Sequence, residues 1–125
     1  MITNLEKYKT SELSKVKRWE KVAKTEVFPE DGGSCIKLGD LQIAVFRFSR
    51  KNEWYACQNL CPHRMQMILS RGIIGSEGEE PKVACPFHKQ TFSLKTGKNL
   101  NGDLCDLATY PIKVADGYVY LGFED

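Results

Sequence analysis

The sequence predicts an all-β fold, an antiparallel β-sandwich or partly open barrel, and two observations carry that expectation. Short runs of β-forming residues recur at intervals of roughly 8–12 residues from Trp19 onward. Turn signals separate them, with Gly39-Asp40, Thr96-Gly97 and Asp116-Gly117 the clearest.

Residues 1–18 are polar and lysine-rich, with Leu5, Tyr8, Leu13 and Val16 as sparse apolar points. Their spacing allows a short amphipathic helix or a frayed tail. A single folded domain is expected over residues 19–125. Its strands are expected at Ser34–Leu38, Leu41–Phe48, Glu53–Gln58, Lys82–Ala84 and Thr91–Leu94. The last two, Ala108–Val114 and Tyr118–Phe123, form a hairpin through Ala115-Asp116-Gly117. Pro111 suits a sheet edge or a bulge, because it has no N–H to give a ladder. The stretch Gly75–Pro81 is expected as an exposed loop tip.

A chain of 125 residues, 42% hydrophobic and 10% aromatic, can bury one core. Eighteen basic residues against 16 acidic leave a formal net charge of +2, with no basic stripe of the kind that nucleic-acid binding requires. No apolar run approaches the ~20 residues of a membrane helix, and the N-terminus lacks a leader pattern. A cytoplasmic location is therefore expected. Five cysteines, an odd count without a regular framework, argue against a disulfide scaffold and for thiols that bind metal or stay reduced.

Both histidines of the chain stand beside a cysteine. One motif is Cys61-Pro62-His63, the other Cys85-Pro86-Phe87-His88. Thiolate and imidazole are the side chains that soft and borderline metals prefer, and four of them complete a site. Each motif follows an expected strand, and Pro62 and Pro86 stiffen the loop tips. Zinc takes Cys₂His₂ as well, but finger spacing pairs Cys with Cys and His with His, whereas each loop here mixes the two.

Cys-x-His followed by Cys-x-x-His resembles the signature of Rieske [2Fe–2S] domains. The resemblance covers the chain from about Trp19 and implies the Rieske fold, with two cluster-binding loops at one end. It also implies that Cys61, His63, Cys85 and His88 hold the cluster, two cysteines on one iron and two histidines on the other. Between the motifs lie 21 residues, Arg64–Ala84, somewhat more than in typical Rieske ferredoxins. The runs Leu41–Gln58, Leu69–Ile74 and Pro81–Asp103 are similar to the small subunit of assimilatory NAD(P)H-dependent nitrite reductase. Some small subunits of that family have lost the ligands, and this sequence keeps all four.

High-potential Rieske proteins add a disulfide between the loops and place Ser and Tyr hydroxyls near the cluster. The matching positions here are Gln66 and Phe87 for the disulfide, and Gln90 and Phe92 for the hydroxyls. Without those donors, adding an electron is less favourable, which implies a midpoint of roughly −150 to 0 mV. Cys57 reads as a small core residue rather than a fifth ligand, and Cys35 and Cys105 as thiols outside the site. Met65 and Met67 either shield the cluster or fill core space. Arg64 and Lys89 either are solvated charges or meet an acidic partner surface. Arg71 has no assigned role.

No nicotinamide fingerprint, P-loop or nucleophile–base pair is present, so no catalytic residue is expected. The resemblance implies an electron-transfer subunit whose partner is a large subunit with sirohaem and flavin, reducing nitrite to ammonium. A stand-alone ferredoxin for an aromatic-ring dioxygenase and a non-redox scaffolding subunit are the alternatives.

Overall fold

The computed structural model describes residues 8–62, 66–86, 90–101 and 106–124. Among them the regular structure is β throughout, interrupted by 3-10 turns at Leu13–Lys15, Thr25–Val27 and Leu69–Arg71. The all-β expectation agrees with this.

The strands run in chain order as β1 (Arg18–Lys24), β2 (Gly32–Leu38), β3 (Leu41–Phe48), β4 (Glu53–Gln58), β5 (Leu60–Cys61) and β6 (Gln66–Met67). They continue as β7 (Ile73–Glu77), β8 (Glu80–Ala84), β9 (Thr91–Ser93), β10 (Thr109–Tyr110), β11 (Ile112–Ala115) and β12 (Tyr118–Phe123). They form four antiparallel sheets, ordered β1-β12-β11, β10-β4-β3-β2, β5-β6 and β7-β8-β9.

The four-stranded sheet is a partition between two cores. In β3 the residues 43–46 are all buried, so both faces are covered. With a period of two, Ile43 and Val45 face one core, and Ala44 and Phe46 face the other. Ala56 and Cys57 of β4 divide in the same way. The first core lies against the β12 sheet through Val119, Leu121 and Phe123. The second gathers Leu69, Val83 and Phe92 with Cys61 and Cys85. Burying each large apolar side chain contributes on the order of 1.5–3 kcal/mol.

The β11–β12 hairpin turns at Asp116 (φ 54°) and Gly117 (φ 79°), the left-handed pair that a two-residue type I′ turn requires. Two expectations need correction. Ala108–Val114 is not one strand: β10 pairs with β4 and β11 with β12, and Pro111 marks the crossing between sheets. A proline cannot continue the ladder through its own nitrogen, so the chain changes sheet there. Gly75–Pro81 is not a loop: Gly75, Ser76 and Glu77 pair with Lys82, Pro81 and Glu80, which leaves only Gly78-Glu79 as the turn. The backbone hydrogen bonds of the hairpin override the poor strand propensity of glycine and proline.

Of the segment expected as helix or tail, residues 8–17 carry one 3-10 turn and run along the sheets, while residues 1–7 lie outside the described residues. Tyr8 is buried in the first core. The Ser11 N–H donates to the Thr109 carbonyl at 3.0 Å, and the Lys17 N–H to that of Phe123 at 2.8 Å.

Candidate metal centre

Two short hairpins place Cys61 and Cys85. In the first, Cys61 of β5 pairs with Gln66 of β6, enclosing residues 62–65. In the second, the strands β8 and β9 end on the pair Ala84–Thr91, and the Cys85 N–H donates to the Gln90 carbonyl at 2.8 Å, enclosing residues 86–89. Both segments therefore open with Cys-Pro and close on Gln, as CPHRMQ and CPFHKQ. His63 and His88 lie outside the described residues, as do Arg64, Met65, Phe87, Lys89 and Cys105.

The two thiols are almost wholly out of water, Cys61 at 0% and Cys85 at 1% exposure, and they share one apolar core. No disulfide joins the described cysteines. A pair of dry sulfurs at two loop bases suits a soft metal, for which thiolates are preferred ligands. Among the described residues no three His, Cys, Asp or Glu side chains gather as metal donors, so two sulfurs are what this part of the chain supplies.

Cys57 faces the same core but is used otherwise. Its thiol donates to the Gln58 carbonyl at 3.3 Å, and burial pushes it well above its ordinary pKa, which keeps it protonated. It is a core residue, as the sequence suggested. Cys35 is exposed in the middle of β2, with its thiol 3.6 Å from Gln42 Oε1 and its pKa raised by partial burial. Met67 accepts the Tyr8 hydroxyl at 3.8 Å, a packing contact. Arg71 is exposed at the end of its 3-10 turn.

Five amide side chains hold the loop bases, and of these the sequence singled out only Gln90. Gln58 and Asn59 are each 2% exposed and stand directly before β5. Gln58 Nε2 donates to the Leu60 carbonyl at 2.6 Å, and its Oε1 accepts the Ala108 N–H at 2.8 Å. Asn59 Oδ1 accepts the Ser70 N–H at 2.7 Å. At the second loop, Gln90 Oε1 accepts Asn99 Nδ2 at 3.0 Å, and Thr91 N–H donates to Asn101 Oδ1 at 2.6 Å. In sequence nothing marks Gln58, Asn59, Asn99 or Asn101, and only their partners reveal the role.

The run Leu69–Gly72 also has a packing reason. A Cβ on Gly72 would stand 2.5 Å from the Ala84 carbonyl oxygen and 2.7 Å from Val83 Cγ2. The absent side chain lets the 3-10 turn press against β8 immediately before Cys85.

A family model described as a Rieske-like [2Fe-2S] domain matches residues 18–122. Residues across 83% of the chain are 33% identical over 104 positions to the nitrite reductase (NADH) small subunit of Escherichia coli, covering 96% of that protein. The NMR structure of the E. coli protein NirD superposes with a TM-score of 0.77 and 31% identity, over 86% of this chain and 98% of that one. The nitrite reductase [NAD(P)H] large subunit of Klebsiella oxytoca is 36% identical over 104 residues, 83% of this chain. The chain spans only about a tenth of that relative, 11% of its length. The ferredoxin component of a naphthalene 1,2-dioxygenase/salicylate 5-hydroxylase system from Ralstonia sp. is 34% identical over 107 residues, 85% of this chain and 96% of that one.

Proposed function

The chain belongs to the Rieske-like [2Fe-2S] domain family, and on that premise we propose that it is the electron-transfer small subunit of an NAD(P)H-dependent nitrite reductase. Its cofactor is a Rieske-type [2Fe–2S] cluster. Cys61 and Cys85 would hold one iron, and His63 and His88 the other. When bound, the cluster supplies one-electron transfer. The chain's own residues do the rest. Leu69, Val83 and Phe92 keep water from the sulfurs, and Gln58, Asn59 and Asn99 fix the loop bases.

One observation carries the choice of enzyme: the match to the E. coli small subunit extends to the fold, with a TM-score of 0.77 at 31% identity to the E. coli protein NirD. The partner would be a large subunit bearing flavin, sirohaem and an iron–sulfur cluster, which draws electrons from NAD(P)H and reduces nitrite to ammonium. A cytoplasmic setting fits this role, and no helix among the described residues is long and apolar enough to cross a membrane.

A second reading, a stand-alone ferredoxin for an aromatic-ring dioxygenase, draws on the 34% identity with the Ralstonia ferredoxin component. Affinity purification of the tagged chain from its own cells separates the two. A co-purifying large subunit with the visible spectrum of sirohaem supports the nitrite reductase. Recovery of a ring-hydroxylating oxygenase in its place supports the ferredoxin and overturns the first reading.

A further inference from the structure

We propose that Asn59 is the positioning residue of the first ligand loop, fastening the strand that enters the loop to the segment that leaves it and so setting how firmly the cluster is retained. The proposal rests on the reading of Cys61 and His63 as ligands.

Asn59 uses all of its polar groups. Its N–H donates to the Gln42 carbonyl at 2.8 Å, and its own carbonyl accepts the N–H groups of Ile68 at 3.1 Å and Leu69 at 3.0 Å. Its Oδ1 accepts the Ser70 N–H at 2.7 Å. Its Nδ2 donates to Gln42 Oε1 at 3.3 Å and to Cys35 Sγ at 3.5 Å. Three of these bonds reach the exit of the loop, residues 68–70, and the others reach β2 and β3. Enclosed between the two ends is the β5–β6 hairpin, whose ladder among the described residues has the pairs Leu60–Met67 and Cys61–Gln66.

Two residue pairs cannot hold a hairpin by themselves. Gln66 offers no thiol, and no disulfide joins the described cysteines. Asn59 closes the loop by hydrogen bonds instead. The loop cannot swing away from the core without breaking the bonds from Asn59 to Ile68, Leu69 and Ser70. Buried amide groups left without partners would oppose that opening.

Gln58 makes a useful contrast. It is as buried as Asn59, but its side chain joins the Leu60 carbonyl to Ala108, on the β10 side, and its hydrogen bonds among the described residues do not reach the loop exit. Loss of the Gln58 side chain should therefore weaken the entry to the loop and its tie to β10, while loss of the Asn59 side chain removes the bond to Ser70 and loosens the exit.

The test follows cluster release from the iron-loaded protein by its visible absorbance after adding a chelator, beside the unfolding rate of the sheets by circular dichroism. Asn59→Ala should release iron roughly five- to tenfold faster, the factor expected for about one net hydrogen bond lost, with a smaller rise in the unfolding rate. Release unchanged, or accelerated by the same factor as unfolding, would overturn the proposal. Asn59→Asp keeps the acceptor for the Ser70 N–H and should lie between wild type and the alanine variant; release as fast as the alanine variant's also overturns it. If Asn59→Ala does not fold, hydrogen exchange of the wild-type protein decides. The Leu69 and Ser70 amides should be protected like those of β3, and fast exchange contradicts the clamp. Failure of the ligand reading looks different, because Cys61→Ser would then keep its full iron content.

Discussion

The Cys85 N–H donates to the Gln90 carbonyl at 2.8 Å, and the same four-residue enclosure recurs where Cys61 pairs with Gln66. The two pairings put two dry sulfurs at the bases of two segments of equal length. Since both thiols face the core that contains Phe92 and Leu69, substitution at either should empty the site. Cys61→Ser and Cys85→Ser are each expected to lower bound iron to near zero, measured by metal analysis of protein purified without oxygen. Retention of iron by either variant contradicts the assignment of that sulfur.

The redox potential depends on what surrounds those sulfurs. Phe92 is fully buried in the core beside them and has no hydroxyl to donate. The midpoint is expected between roughly −150 and 0 mV, in the lower part of the Rieske range. Phe92→Tyr should raise it by up to about 60 mV, the equivalent of ~1.4 kcal/mol for one electron. Redox titration followed by visible absorbance checks both, and a wild-type midpoint above about +100 mV sinks the low-potential account.

Gly72 sets how closely the 3-10 turn Leu69–Arg71 approaches β8. With a Cβ only 2.5 Å from the Ala84 carbonyl oxygen, Gly72→Ala must push the two apart. A loss of about 1–3 kcal/mol in denaturant unfolding is expected, as for other overpacked sites. A variant as stable as wild type would show that the turn can shift at no cost.

Stability should fall at alkaline pH. Burial raises the Cys57 pKa in the folded chain, while the unfolded chain ionises near the ordinary value of 9.0. A group whose folded pKa is raised contributes stability that is complete below the unfolded pKa and is lost as pH rises beyond it. The loss from this thiol should approach about 1.4 kcal/mol per pH unit above that point. Tyr55, pushed up to about 12 by burial and by its bond to Glu53, steepens the decline above its ordinary value of 10.0. Denaturant unfolding at several pH values tests this, and Cys57→Ala should flatten the first part of the decline. An unchanged slope in that variant would assign the alkaline loss to other groups.

Some of this was legible in the sequence for plain physical reasons. Leu41–Phe48, Glu53–Gln58 and Tyr118–Phe123 were located to the residue, because β-forming runs ended at turns that the chain chemistry marks. β1 was not named as a strand: Glu20, Lys21 and Lys24 interrupt its apolar residues, and its partner β12 lies at the far end of the chain. Gly75–Pro81 misled because its composition is that of a loop, while its hydrogen bonds are those of a hairpin. Pro111 suited an edge, yet nothing local revealed that the chain changes sheet there.

At the site, the sequence singled out Cys61 and Cys85 by their motifs, and the structure buries both in one core. The clamps were not legible in the sequence. Asn59 and Gln58 gain their meaning from Ser70, Gln42 and Ala108, residues brought to them only by the fold. A buried amide and an exposed one look the same in sequence.

If Cys61, His63, Cys85 and His88 together hold a Rieske-type cluster, the electron paramagnetic resonance spectrum of the dithionite-reduced protein must carry its signature. Equal iron and acid-labile sulfide are expected, with a rhombic signal whose average g lies below that of a cluster held by four cysteines. A colourless protein without iron, or one holding a single zinc ion, would contradict it.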